Sequence, residues 1–165
     1  MVRLNETRPG ELAVDLPARA NAEVYFIGRI RTPWTDRLEC PRQGRPDGPT
    51  CRIEVFQPWD RGLDNIGEFE RLEVLYWLHE SRRDLAKQSP RSDGQARGVF
   101  SLRTPVRPNP IATSIVQLLN VEGPVLLVRG MDCLDGTPLI DLKPDRTLFK
   151  PLAPAQTGDF QVGDP

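Results

Sequence analysis

Leu72-Glu73-Val74-Leu75-Tyr76-Trp77-Leu78 alternates with the period of an extended chain. Leu72, Val74, Tyr76 and Leu78 fall on one face, and Glu73, Leu75, Trp77 and His79 on the other. Outward from this run, residues 24–30, 51–56, 98–102, 115–121, 125–130 and 137–142 read the same way. Each is short, rich in β-branched or aromatic residues, and bounded by Gly, Pro or Asp. Helical content is confined to a turn or two within 59–69, kept short by Gly62 and Gly67. Short strands without a long helix predict an all-β fold, a small antiparallel barrel or sandwich. Asp135-Gly136, between the last two runs, is a favoured pair for a tight hairpin turn. Residues 83–97 are polar and read as a long mobile loop.

Length and composition set the frame. The 165 residues fit one compact domain. Residues 1–22 read as a peripheral leader, 23–150 as the barrel domain and 151–165 as an extended tail. The 17 prolines are about twice the usual share and argue against a helical bundle. Three cysteines without a CxxC pair support neither a disulfide framework nor a thiolate zinc site, and one histidine excludes multi-His metal sites. No metal is expected. No apolar run approaches a membrane span and no secretory signal opens the chain, so a cytoplasmic location is expected.

The net charge of −1 excludes binding to nucleic acid by bulk charge alone. The basic residues are 19 Arg and 3 Lys. Between positions 82 and 107 seven of them face only two acidic residues, so that segment carries +5 and the rest of the chain −6. A local patch of guanidinium forks suits phosphate or carboxylate.

Two segments carry the chemistry. In Arg103-Thr-Pro-Val-Arg107-Pro108-Asn109-Pro110 three prolines in extended geometry hold Arg103, Arg107 and Asn109 on a stiff loop that cannot be a central strand. In Asp135-Gly136-Thr137-Pro138-Leu-Ile-Asp141-Leu-Lys143-Pro144 a tight turn leads into a strand. Period-two spacing there puts Asp141 and Lys143 on one face.

Together these segments resemble the TsaA-like (YaeB, TrmO) family of tRNA threonylcarbamoyladenosine methyltransferases. That family runs G-x-F-x-x-R-[ST]-x-x-RPNP-I-G-x-S and later D-x-x-DGTP-x-x-D-x-KPY. Here Gly98-Val-Phe100 leads to Arg103, Arg107-Pro-Asn-Pro110 and Ser114, and Asp132 leads to Asp135-Gly-Thr-Pro138, Asp141 and Lys143-Pro144. Ile27-Gly28 through Pro33-Trp34 is similar to the family's first strand and turn, Pro41-Arg42-Gln43 to its P-x-Q element, and Leu78-His79-Glu80 to its mid-barrel strand end. The order is kept over roughly residues 24–150. Asp145 stands where the family has Tyr, Ala112 where it has Gly, and Val106 where His is common. The second domain of some bacterial members is not expected after the KP motif.

The resemblance implies a barrel that binds S-adenosylmethionine, pairs as a homodimer and methylates N6 of a threonylcarbamoylated adenosine beside the tRNA anticodon. By family position, Gln43, Gly44, Glu80, Ser81, Arg103, Thr113, Ile115, Leu134, Asp135, Gly136 and Thr137 would hold the cofactor. Asp141 and His79 are the base candidates, and Asn109 would orient the acceptor. Arg107 and Lys143 would bind its carboxylate or a phosphate. Trp34, Trp59 and Trp77 read as core or interface. The competing readings are a paralogous methyltransferase with another acceptor, a non-catalytic module that binds the cofactor or RNA, and a plain RNA-binding barrel. The 7% aromatic content weakens the last, because such sites stack bases on rings.

Overall fold

The computed structural model describes residues 6–90 and 94–146; the expected tail lies outside them. Among the described residues nine strands follow in order: β1 (Leu12–Ala13), β2 (Gly28–Arg31), β3 (Thr50–Val55), β4 (Arg71–Trp77), β5 (Leu85–Gln88), β6 (Arg97–Gly98), β7 (Ile111–Glu122), β8 (Val125–Arg129) and β9 (Thr137–Pro144). Six of them close an antiparallel barrel in the order β2-β3-β8-β7-β4-β9. Closure removes the free edges that a sheet of this size would otherwise present. A small side sheet, β1-β5-β6, stands beside it. Among the described residues the helical content is three 3-10 turns, two of them at Trp59–Leu63 and Ile66–Glu68.

The alternation predicted for β4 is the barrel's inside and outside. Leu72, Val74 and Tyr76 are buried, as are Ile30, Ile53, Val116, Leu126, Val128 and Leu139 from the other strands. Each inward side chain removes most of its apolar surface from water, roughly 1.5–3 kcal/mol apiece before conformational entropy is counted. Gly28 is required by close approach, since a Cβ there would sit 2.3 Å from the Glu54 carbonyl oxygen.

Several local expectations are corrected. The run at 24–30 becomes a strand only from Gly28, and Val24, Tyr25 and Phe26 stay on the surface. Residues 98–102 are not a strand. Gly98 ends β6 and Val99–Ser101 is a 3-10 turn closed by Leu102 N–H on Val99 O and Ser101 Oγ on Gly98 O. A serine that bonds a backbone carbonyl three residues back competes with strand pairing there. The loop expected over 83–97 contains β5, whose Leu85 is fully buried. Asp135-Gly136 is a turn, with Gly136 at φ +78°, but not a hairpin, because β8 and β9 are not neighbours. The hairpin is Gly123-Pro124 between β7 and β8, with Gly123 at φ +60°.

Candidate active site

A cleft of about 580 Å³ opens where β4 ends, between the loop after it, the 102–107 loop, the start of β7 and the 132–134 segment. The sequence brings these together through register. Tyr76 pairs with Ala112 and Leu139, so the end of β4, the beginning of β7 and the beginning of β9 meet at one end of the barrel.

The floor is a hydrogen-bonded cluster around Asp132. Tyr76 Oη donates to Asp132 Oδ1, and Ser114 Oγ lies 3.0 Å from the same oxygen and 2.8 Å from the phenol. Gly44 N–H donates to Asp132 Oδ2 at 3.2 Å, and Cys40 Sγ–H to the Asp132 carbonyl at 3.0 Å. Burial, and then the Asp132 charge, push the Tyr76 phenol well above the ordinary tyrosine value, so it stays protonated and donates. The same two causes raise the Cys40 thiol to about 11, which leaves it a neutral lining group at physiological pH. Asp132 stood in the quoted motif with no role attached. Tyr76 shares the Leu72, Val74 and Leu78 face of the alternating run, and nothing in that pattern gives it a role.

One wall is basic. Arg103 and Arg107 line the cleft. Arg103 Nη2 donates to Thr113 O at 3.4 Å, and Arg107 Nη2 to the Val99 and Leu102 carbonyls, both at 3.1 Å. Arg83 straps the proline loop to the barrel. Its guanidinium carbon lies 5.3 Å from the centre of the Trp77 ring while Nε donates to Pro108 O at 2.6 Å.

Of the residues singled out from sequence, His79, Glu80, Ser81, Arg103, Arg107, Thr113, Leu134 and Thr137 line this cleft. Gly44 lies behind the floor, against Asp132. Gln43 is exposed and off the lining, although Pro41 and Arg42 are on it. The N–H groups of Asp135, Gly136 and Thr137 are taken by the carbonyls of Trp34, Ile30 and Leu134. The Asp135 carboxylate is held by Arg31 and the Thr32 N–H. Asn109 is exposed, and its Oδ1 is 3.5 Å from Arg83 Nη2. Ile115 pairs with Glu73 on the outer face of the barrel.

Asp141 and Lys143 do share a face, but it is the outer one. A bulge between Leu139 and Asp141 moves Asp141 opposite Leu75 and Lys143 opposite Glu73. The two side chains bond each other there, away from the cleft lining. Asp145, the departure from the family's tyrosine, is buried against Arg71 at 3.0 Å. Arg71 begins β4 and the cleft lies at its other end, so this departure sits roughly 17 Å away along the strand. Among the described residues no group of His, Cys, Asp and Glu is gathered to hold a metal ion.

A closed antiparallel β-barrel with an arginine-walled cleft at one end defines the class. The chain belongs to the family described as tRNA-methyltransferase O N-terminal domain, whose profile matches residues 29–148. A relative from Rhizobium radiobacter, named "Probable S-adenosyl-L-methionine-binding protein VirR", is 55% identical over 149 residues, covering 90% of this chain and 85% of that one. A Mus musculus protein named tRNA (adenine(37)-N6)-methyltransferase is 36% identical over 72% of this chain and 29% of its own length. The crystal structure of TrmO from P. aeruginosa superposes with a TM-score of 0.65 at 30% identity, over 85% of this chain and 62% of that one. The chain therefore spans less than two thirds of that solved relative.

Proposed function

We propose that this protein is an S-adenosylmethionine-dependent methyltransferase acting on tRNA, with N6 of a threonylcarbamoylated adenosine beside the anticodon as acceptor. One observation carries the reading. Motif residues scattered from 79 to 137 converge on one cleft whose volume suits a nucleoside-sized ligand. The residues fit such a cofactor. Arg103 supplies a guanidinium group for its carboxylate, and Glu80 and Ser81 at the strand end supply polar groups for a ribose or amino group. The bound cofactor would supply the electrophilic methyl group.

The protein's part in such a transfer is alignment of donor and acceptor, and removal of the acceptor's proton. The stiff 103–110 loop, strapped by Arg83, keeps its arginines in place without further ordering cost. His79 is the base candidate that faces the cleft; Asp141, with Lys143, serves only where a second copy or the RNA brings the acceptor to the outer face. Arg107 and Asn109 are assigned to the acceptor. We also propose a homodimer, because Tyr25, Phe26, Phe56 and Trp59 leave apolar surface that two-fold pairing would cover. Residues 23–150 are taken as the catalytic barrel. A tRNA substrate goes with a cytoplasmic location, and among the described residues no helix is long and apolar enough to cross a membrane.

The second reading, a cofactor-binding module without catalysis, is favoured by the outward Asp141–Lys143 pair. Calorimetry with S-adenosylmethionine, followed by single-turnover methylation of threonylcarbamoylated tRNA, separates the two. Arg103→Ala should weaken cofactor binding about thirtyfold. Where a second copy or the RNA brings the acceptor to the outer face, Asp141→Ala lowers turnover far more than cofactor affinity. Normal turnover in Asp141→Ala passes the base role to His79. Cofactor binding without any methyl transfer leaves the second reading standing. A wild-type protein that binds no cofactor at millimolar concentration overturns both.

A further inference from the structure

Gln88 ends β5, at the point where the strand leaves its pairing with Arg97 and enters the wall of the cleft. Its Oε1 is buried and has no hydrogen-bond partner among the described residues. Arg107 lines the same cleft. Its Nη2 is satisfied by two carbonyls, but its Nε is buried and equally without a partner. Folded proteins leave few such atoms unmet, because each costs the desolvation of a polar group with nothing in return.

The two unmet groups differ in kind. One is an amide acceptor, which takes an N–H. The other is a cationic donor, which takes a carboxylate oxygen. An acceptor and a guanidinium N–H on one cleft are the complement of an amino-acid group, which presents a carboxylate next to an N–H. Gln88 is also held in place. β5 is paired on both edges, to β1 and β6. The next residue, Ser89, is buried, with its N–H on Glu11 Oε1 at 2.9 Å and its Oγ on Pro9 O at 3.0 Å. A glutamine anchored this way stays in the wall of the cleft, where a free loop would carry it to water.

We propose that Gln88 and Arg107 form a subsite for the amino-acid portion of a ligand bound in the cleft. The proposal rests on the methyltransferase reading, which offers two sources of that chemistry: the methionyl end of the cofactor and the threonyl group of the modified adenosine.

The experiment compares wild type, Gln88→Leu and Gln88→Glu. Calorimetry uses S-adenosylhomocysteine and 5′-methylthioadenosine, the same thioether nucleoside without its amino acid. Steady-state methylation is then measured against the concentration of threonylcarbamoylated tRNA. If the subsite takes the methionyl end, Gln88→Leu weakens S-adenosylhomocysteine about tenfold and leaves 5′-methylthioadenosine unchanged. If it takes the threonyl group, both affinities hold and KM for the tRNA rises about tenfold with kcat kept. Gln88→Glu retains an acceptor oxygen and should stay within about threefold of wild type in whichever arm moves. Equal loss for both nucleosides, or no change beyond about twofold in any arm, overturns the proposal. A misfolded Gln88→Leu protein would lose both nucleosides together, so a selective loss cannot come from misfolding. Failure of the underlying reading appears separately, as a wild-type protein that binds neither nucleoside and transfers no methyl group.

Discussion

At Gly44 two backbones meet so closely that no side chain fits. A Cβ built there would lie 1.7 Å from the Gly130 carbonyl oxygen and 2.4 Å from its carbon. Both are backbone atoms, so no rotamer change relieves the clash. The same approach aims the Gly44 N–H at Asp132 and closes the floor of the cleft. Gly44→Ala should therefore cost about 3 kcal/mol or more and loosen ligand binding as the floor opens. Gly62→Ala, where nothing lies within 4 Å, should stay within about 0.5 kcal/mol of wild type. Urea midpoints of the two variants decide the matter, and equal midpoints would show that the close approach carries no weight. At this scale the sequence was partly readable. The arginines of the 103–110 loop could be named because prolines announce a rigid segment from composition alone. The Tyr76–Ser114–Asp132 cluster could not, because an inward tyrosine looks like core until the acceptor opposite it is known.

Among the elements, β5 was the hardest to see. Leu85-Ala-Lys-Gln88 is flanked by charges and prolines, and its four residues alone cannot make a stable strand. Partners on both edges make it one. β1 pairs Leu12 with Lys87 and Ala13 with Leu85, and Val14 N–H reaches Asp84 O at 2.7 Å. Those partners come from the segment read as a peripheral leader, more than 70 residues earlier in the chain, a separation that no local pattern spans. Bulges escape for a similar reason: the extra residue before Asp141 reverses inside and outside, and nothing in an alternating sequence marks it. The brace on β5 can be tested at Glu11, whose carboxylate accepts the N–H groups of Arg8 and Ser89, each at 2.9 Å. Glu11→Ala leaves the Ser89 N–H buried without its acceptor, a local loss of about 1–3 kcal/mol. Hydrogen exchange at Ser89 should then speed up by roughly tenfold or more while the barrel amides of β4 and β7 hold. Glu11→Gln keeps an acceptor oxygen and should retain most of the protection. Unchanged exchange at Ser89 in Glu11→Ala would mean that the pairing of β1 with β5 does not depend on this carboxylate.

The whole molecule gathers its buried acidic protons in and around one end of the barrel, and that gives it an alkaline limit. Burial raises the thiols of Cys40 and Cys51 to about 11 and also pushes up Cys133 and the Tyr76 phenol. The charge of Asp132 adds to the effect at Cys40, Cys133 and Tyr76. In the unfolded chain a thiol ionises near 8.5. Above that pH the unfolded state sheds protons that the folded state still holds, so each rise in pH favours unfolding. The stability these groups lend is complete below about pH 8.5 and drains away as pH climbs toward 11. A fully buried thiol such as Cys51 should contribute a slope of roughly 1 kcal/mol per pH unit in that window, and half-buried Cys40 less. Acid carries the opposite sign and a smaller effect. The Arg29 guanidinium holds the Glu54 carboxyl below its usual range, and the Arg82 guanidinium does the same for Asp84. Both pairs lie near the surface, so their loss below about pH 4 should cost well under 1 kcal/mol each. Urea midpoints taken near pH 8 and near pH 10 should fall sharply between the two, and Cys51→Ala, compared with itself, should show a shallower fall. A wild-type midpoint that stays level between those two values would mean that the thiols titrate as they do in an unfolded chain, and that the end of the barrel around Asp132 is open to water.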